Sequence, residues 1–331
     1  MGYPRKALVC LGDTPYYHVV SRCVRRAWLW GFDEYAGRDY SHRKQWVIDR
    51  LVLLASIFAI DICAYAIMSN HFHLVLHVDA ERIRSLSAEE IVERWSQLFR
   101  IPTLVRRWRE GIASETEIIA ALEIVERWRA RLIDISWFMR SLNEHLARRA
   151  NAEDQCTGRF WEGRFKSQAL LDEAGLLTAM AYVDLNPIRA GIAATPEESQ
   201  FTSIYERIQA QRAAQSKTSS TFARSKLLRF RDEVSADAPA IPFSLRDYFE
   251  LIDGSGRLAR RDKRGAIDDR AAPILIRLGI DPGVWHDAMT LRGNVFGRAL
   301  GRLDRLRLHA KALGQQRIKG LMQAQRLYRT V

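Results

Sequence analysis

The eight residues His71-Phe72-His73-Leu74-Val75-Leu76-His77-Val78 restrict the fold more than any other part of the chain. Successive side chains of a strand point to opposite faces. The segment therefore places Phe72, Leu74, Leu76 and Val78 on one face and His71, His73 and His77 on the other. One face feeds a core and the other offers imidazoles. Ser69-Asn70 suits a tight turn, so 62–68 reads as the preceding strand of a hairpin. The apolar and polar mixture over 16–24 predicts a further strand.

Helical patterns connect these strands. Trp46, Val47, Leu51, Leu54, Ala55 and Phe58 recur at helical spacing over 41–60. From about 80 to 155 the pattern is again helical, rich in Arg, Glu and Trp, and reads as an insertion. A loop over 157–165 leads to a helix opening at Asp172, a suitable N-cap, and closing before Pro187, because the residue before proline disfavours the α region. The chain then divides into a main domain over 1–205, a polar linker over 206–234 and a basic helical domain over 235–331.

Composition narrows the partners. With 331 residues, 47% of them apolar, the chain can bury one large core or two modest ones. Lys and Arg number 51 against 39 Asp and Glu, a net charge of +12, which favours a polyanionic partner through attraction to phosphates. The cysteines Cys10, Cys23, Cys63 and Cys156 form no CxxC pair, which argues against a zinc finger or a disulfide framework and fits a reducing cytoplasm. The longest apolar run, 51–60, is too short to cross a bilayer, and no signal-peptide core follows Met1, so no membrane partner is expected.

Two histidines at i and i+2 on a strand can aim their rings at one ion, while the apolar face anchors the strand. Tyr182 and Asn186 are four residues apart and share a helical face, which would stand a nucleophile beside a ligand. An amide oxygen from Asn186 beside the two imidazoles suits a hard divalent ion, Mg²⁺ or Mn²⁺. The residues alone leave other readings open. The His-x-His triplet could be the polar side of a half-exposed strand, and Tyr182 could simply pack.

His71-Phe72-His73, followed by Ala181-Tyr182-Val183-Asp184-Leu185-Asn186-Pro187-Ile188-Arg189-Ala190-Gly191, resembles the REP-associated tyrosine transposases and related single-tyrosine HUH transposases of insertion sequences. Gly158-Arg159-Phe160-Trp161-Glu162-Gly163-Arg164-Phe165-Lys166-Ser167 and the early Tyr17-His18-Val19-Val20-Ser21-Arg22 are similar to that group too. The likeness covers about 13–205 outside the insertion, and it departs from the family at Cys23-Val24, where Gly-Asn is usual. It implies an α+β, ferredoxin-like antiparallel sheet with the histidines on a central strand and the tyrosine on a facing helix. It further implies that His71, His73 and Asn186 hold the metal and that Tyr182 attacks a phosphodiester of single-stranded DNA, leaving a 5′-phosphotyrosine and a free 3′-hydroxyl. The DNA would include a hairpin.

Arg159, Arg164 and Lys166, interleaved with Phe160, Trp161 and Phe165, could pair phosphates and stack bases, and Arg189 could make a further phosphate contact. Over 298–329 nine basic residues face only Asp304, a stretch that could lie along a DNA backbone or form the solvated surface of a helical domain. Two other functions stay open: a hairpin-binding protein that does little chemistry, and a zinc hydrolase using His71, His73 and His77. The oligomer, monomer or homodimer, is open as well.

Overall fold

A computed structural model describes residues 9–24, 31–33, 37–215, 226–259, 273–290, 297–315 and 318–328. Along the chain come β1 (Tyr16–Arg22), β2 (Phe32–Asp33), β3 (Arg38–Asp39), α1 (Arg43–Ile57), β4 (Ile60–Ile67) and β5 (His71–Val78). Five helices follow: α2 (Ala80–Arg84), α3 (Ala88–Ser96), α4 (Thr103–Arg109), α5 (Glu115–Arg131) and α6 (Ile135–Glu153). Next are β6 (Lys166–Leu170), α7 (Glu173–Asp184), α8 (Asn186–Arg189) and α9 (Ser203–Gln215). The remainder holds α10 (Leu245–Ala259), α11 (Pro273–Arg277), α12 (Pro282–Thr290), β7 (Ala299–Leu300), α13 (Leu303–Ala312) and α14 (Leu321–Leu327). No described helix is long and apolar enough to cross a membrane.

The fold is α+β. Its main sheet runs β4-β5-β1-β6-β7, with β1 antiparallel to both β5 and β6, and β7 parallel to β6. If the first four long strands are counted in chain order, they lie 2-3-1-4 across the sheet, the ferredoxin-like arrangement expected from the sequence. β5 is central, as expected. Its apolar residues Phe72, Leu74 and Leu76 are wholly buried, yet so is Val75 on the opposite side, and His73 is only 6% exposed. Both faces of the strand are therefore covered, unlike the half-exposed strand that alternation alone suggests.

Two compact units divide the chain: Met1–Gln45, Ile62–His77 and Arg159–Val331 form one, and Trp46–Asp61 with Val78–Gly158 form the other. In the second unit, the Ser87 and Ser114 side chains each accept a hydrogen bond from the backbone N–H three residues on, while the Glu90 and Glu117 carboxylates accept one from the Ser87 and Ser114 N–H, so α3 and α5 both start with a capping box. Trp95 stacks on Phe99 at 4.3 Å and on Trp128 at 5.3 Å and lies 5.6 Å from Trp137, so these three tryptophans of the stretch share one helical core.

The first unit does not divide at 206–234. α9 enters the expected linker, where buried Arg207 donates to the carbonyls of Cys63 and Leu228, while Leu227 pairs with Ile62 at the open side of β4. A guanidinium with several donors can satisfy strand carbonyls that would otherwise be left at a sheet edge. Residues 216–225 lie outside the described residues. Beyond them the chain rejoins the same sheet through β7, so 235–331 is not a separate appendage in this structure. The basic tail is likewise not one continuous helix. It runs through β7, α13 and α14, and Arg302 and Arg305 donate to the carbonyls of Leu278 and Leu171. Arg317 and Arg329 of that stretch lie outside the described residues.

Candidate active site

Residues paired directly across neighbouring strands share a face. His71 pairs with Arg22, His73 with Val20, and His18 with Val75 and Gln168, while Val20 also pairs with Lys166. One sheet face thus collects His71, His73, His18, Gln168, Arg22 and Lys166. His18 falls inside the family-like block 17–22 and Gln168 just beyond the block 158–167, and neither carries a local signal of a site role. The signal for both lies in register, which joins residues 55 and 150 positions apart and is absent from any local pattern.

α7 supplies the nucleophile candidate. Asp172 caps it as expected, accepting a hydrogen bond from the Gly175 N–H at 2.8 Å. Apolar residues occupy nearly every side: residues 174–181 are all buried, and Tyr182 is half-buried between buried Ala181 and Val183. The helix ends at Asp184, and Pro187 sits in the first turn of α8, where its missing N–H is harmless.

The Tyr182 ring centroid lies 6.0 Å from that of His73 and 6.3 Å from that of His18, each edge-on, and His71 stands 4.9 Å from His73. The guanidinium carbon of Arg189 lies 4.3 Å from the Tyr182 ring centre. Sequence residues 111 positions apart, Tyr182 and His71, therefore meet around one centre through His73. Asn186 is half-buried at the start of α8, with its backbone carbonyl accepting from the Ala190 N–H at 2.9 Å. No contact places its side chain on either imidazole among the described residues.

The hydrogen bonds specify the rings. His71 Nδ1 lies 2.7 Å from Asn70 Oδ1, and His73 Nδ1 lies 2.9 Å from His18 Nε2. Burial pushes His18 and His71 down to about 4, the latter helped by Arg22. Burial also holds His73 well below the usual histidine range, with His18, His71, Arg189 and Arg22 adding repulsion. At neutral pH these are uncharged imidazoles with lone pairs to offer.

That chemistry fits a divalent ion at His71 and His73, each with one nitrogen already engaged and the other left for a ligand bond. Among the described residues no cluster of three His, Cys, Asp or Glu could hold a metal, so the remaining ligands would have to be amide, phosphate or water oxygens. His77 does not join the set. Its ring lies 4.9 Å from that of Tyr16, which it faces across β1, so the three-histidine zinc arrangement is not assembled.

Arg159, Arg164 and Lys166 are exposed, and Lys166 starts β6 on the imidazole face. Phe160 is 5% exposed and packs edge-on against Trp161 at 5.0 Å, which in turn meets Phe72 at 5.7 Å. These two aromatics fasten the loop to the sheet, so Phe160 has no free face for a base.

No protein-family model and no curated protein matches the sequence. Among solved structures, the chain is similar to a REP-associated tyrosine transposase bound to a REP hairpin, at a TM-score of 0.38 and 11% identity, over 64% of this chain and 87% of that one.

Proposed function

We propose that this chain is a divalent-metal-dependent endonuclease and strand transferase of single-stranded, hairpin-forming DNA, with Tyr182 as its nucleophile. The observation that supports this best is the meeting of Tyr182 with the neutral imidazoles of His73 and His18 and the Arg189 guanidinium. A tyrosine in such company has partners for phosphoryl chemistry that a packing tyrosine lacks.

In the proposed step the Tyr182 phenolic oxygen attacks phosphorus, the phosphorus bond to the 3′-oxygen breaks, and the phenolic proton leaves to solvent while the 3′-oxygen takes one up. The product is a 5′-phosphotyrosine and a free 3′-hydroxyl. The ester keeps the energy of the broken linkage, so a second 3′-hydroxyl can reverse the step and join strands. A free phenol has a pKa of about 10, so the developing phenolate needs positive charge nearby, and Arg189 over the ring provides it. Arg22 and Lys166 extend that charge along the sheet face for the phosphate oxygens. A divalent ion held by His71, His73 and the Asn186 amide would add Lewis-acid polarisation of the phosphate. Exposed Arg159 and Arg164 would contact the DNA backbone.

The test incubates wild type and Tyr182→Phe with end-labelled single strands containing palindromes from beside the gene, with Mg²⁺ or Mn²⁺. Denaturing gels should show a covalent protein-DNA band for wild type only. Tight hairpin binding by both proteins without any adduct would establish a binding protein instead, and cleavage by both would remove Tyr182 from the chemistry.

A further inference from the structure

We infer that His18 and Gln168 are positioning residues that fix the tautomer of His73, leaving its Nε2 bare as a ligand. This rests on the metal reading above. The chain of hydrogen bonds is directional at every step. Gln168 Nε2 lies 2.6 Å from the Gly297 carbonyl oxygen, which can only accept, so the amide nitrogen faces it and Oε1 faces the other way. That Oε1 lies 3.2 Å from His18 Nδ1, and an amide oxygen also only accepts, so His18 carries its hydrogen on Nδ1. In an uncharged ring Nε2 is then bare, and it lies 2.9 Å from His73 Nδ1. His73 must therefore donate from Nδ1, and its lone pair resides on Nε2.

His71 reaches the same state in one local step, donating from Nδ1 to Asn70 Oδ1 at 2.7 Å. Free histidine in water favours the hydrogen on Nε2, the tautomer that cannot ligate through that atom. Both histidines are thus held in the less common form, one by its sequence neighbour and one by a relay across β1, β6 and the backbone at Gly297. The relay also settles why His18, for all its closeness, is not a third ligand: both of its nitrogens are taken. At its far end the two backbones pass close together: a Cβ at Gly297 would lie 2.1 Å from the Lys319 carbonyl oxygen, so a larger residue there would have to displace the backbone that holds Gln168. Ligand orientation by an outer hydrogen bond of this kind typically changes metal affinity by about 10- to 100-fold.

The experiment uses the full chain with ¹⁵N-labelled histidine, free of metal at neutral pH, and a Mn²⁺ titration followed by electron paramagnetic resonance. His18→Leu removes the acceptor, and His18→Gln restores one at a similar reach. The ring-nitrogen spectrum of wild type should show His71 and His73 both protonated on Nδ1. His18→Leu should shift His73 towards the Nε2–H form, leave His71 unchanged as an internal control, and weaken Mn²⁺ binding at least about ten-fold. His18→Gln should recover most of both. A folded His18→Leu protein that keeps the His73 signature and wild-type Mn²⁺ affinity overturns the proposal alone. A wild type that takes up no Mn²⁺ overturns the metal reading and the proposal with it. If His18→Leu disturbs His71 as much as His73, or does not fold while His18→Gln folds without the Nδ1–H signature at His73, His18 serves general packing and the proposal fails.

Discussion

At the scale of single residues, charge placement distinguishes the catalytic proposal from mere packing. Arg189 is half-buried, and its guanidinium carbon lies 4.3 Å from the Tyr182 ring centre. Loss of that charge should slow adduct formation by about 10²-fold, the usual effect of deleting one preorganised partner of a developing anion. Single-turnover assays of Arg189→Ala, with its melting temperature held against wild type, check this; an unchanged rate would assign Arg189 to structure. Asp184, two residues from Tyr182, behaves differently. It is wholly buried and accepts from Ser203 Oγ at 2.5 Å, the Ile204 N–H at 2.9 Å and Tyr248 Oη at 2.5 Å. Burial nonetheless pushes its pKa up to about 6, against the three donors and Arg207. A carboxyl whose folded pKa exceeds its unfolded value binds the proton more tightly when folded. Its contribution to stability is therefore complete below the unfolded value of about 4 and declines as pH rises through about 6. Asp184→Asn should remove this decline, so the difference in melting temperature between the two proteins should change between pH 4 and pH 7 in the mutant's favour. A pH-independent difference would refute the shift. Nothing in the sequence around Asp184 announces this cluster, since Ser203 and Tyr248 come from elements much further along.

At the scale of elements, α7 was legible and its seating was not. Asp172 as cap, an apolar surface on all sides and Pro187 beyond the end together specify a buried helix. Its depth in the fold is set by Gly175, where a Cβ would lie 2.5 Å from the Leu300 carbonyl oxygen. Gly175→Ala must push α7 away from β7, and should cost about 1–3 kcal/mol, as overpacking does. It should also displace Tyr182 and depress adduct formation. Gly254 in α10 provides the contrast, because nothing lies within 4 Å of a Cβ there. Gly254→Ala should raise stability by about 0.5–1 kcal/mol through helix propensity. Thermal melts of the pair decide the matter; equal effects would mean that the approach to β7 is not limiting. The period-two pattern of β5 was equally plain, whereas the burial of Val75 and His73 on its imidazole face follows from elements that alternation cannot reveal.

At the scale of the whole molecule, the last hundred residues complete the first unit. β7 pairs with β6, the Gly297 carbonyl anchors Gln168, and Tyr248 reaches Asp184. Truncation after residue 234 removes all three. A chain of 1–234 should lose the cooperative melt of the full protein and its Mn²⁺ binding; a truncated protein that melts cooperatively and still forms the adduct would restore the separate-domain organisation suggested by composition. What the sequence determined by itself are the features written in neighbouring residues. They include the strand at 71–78, the capped helix bearing Tyr182, the pairing of His71 with His73, and a positive charge suited to phosphates. Periodicity, capping and charge act over a few residues, so they survive in a linear reading. Only the tertiary structure decided that His18 and Gln168 stand behind His73, that Asp184 is enclosed by Ser203 and Tyr248, and that the basic tail adds an edge strand to the sheet. Those contacts depend on strand register and on close approach of backbones distant in sequence, and no local pattern of residues encodes either.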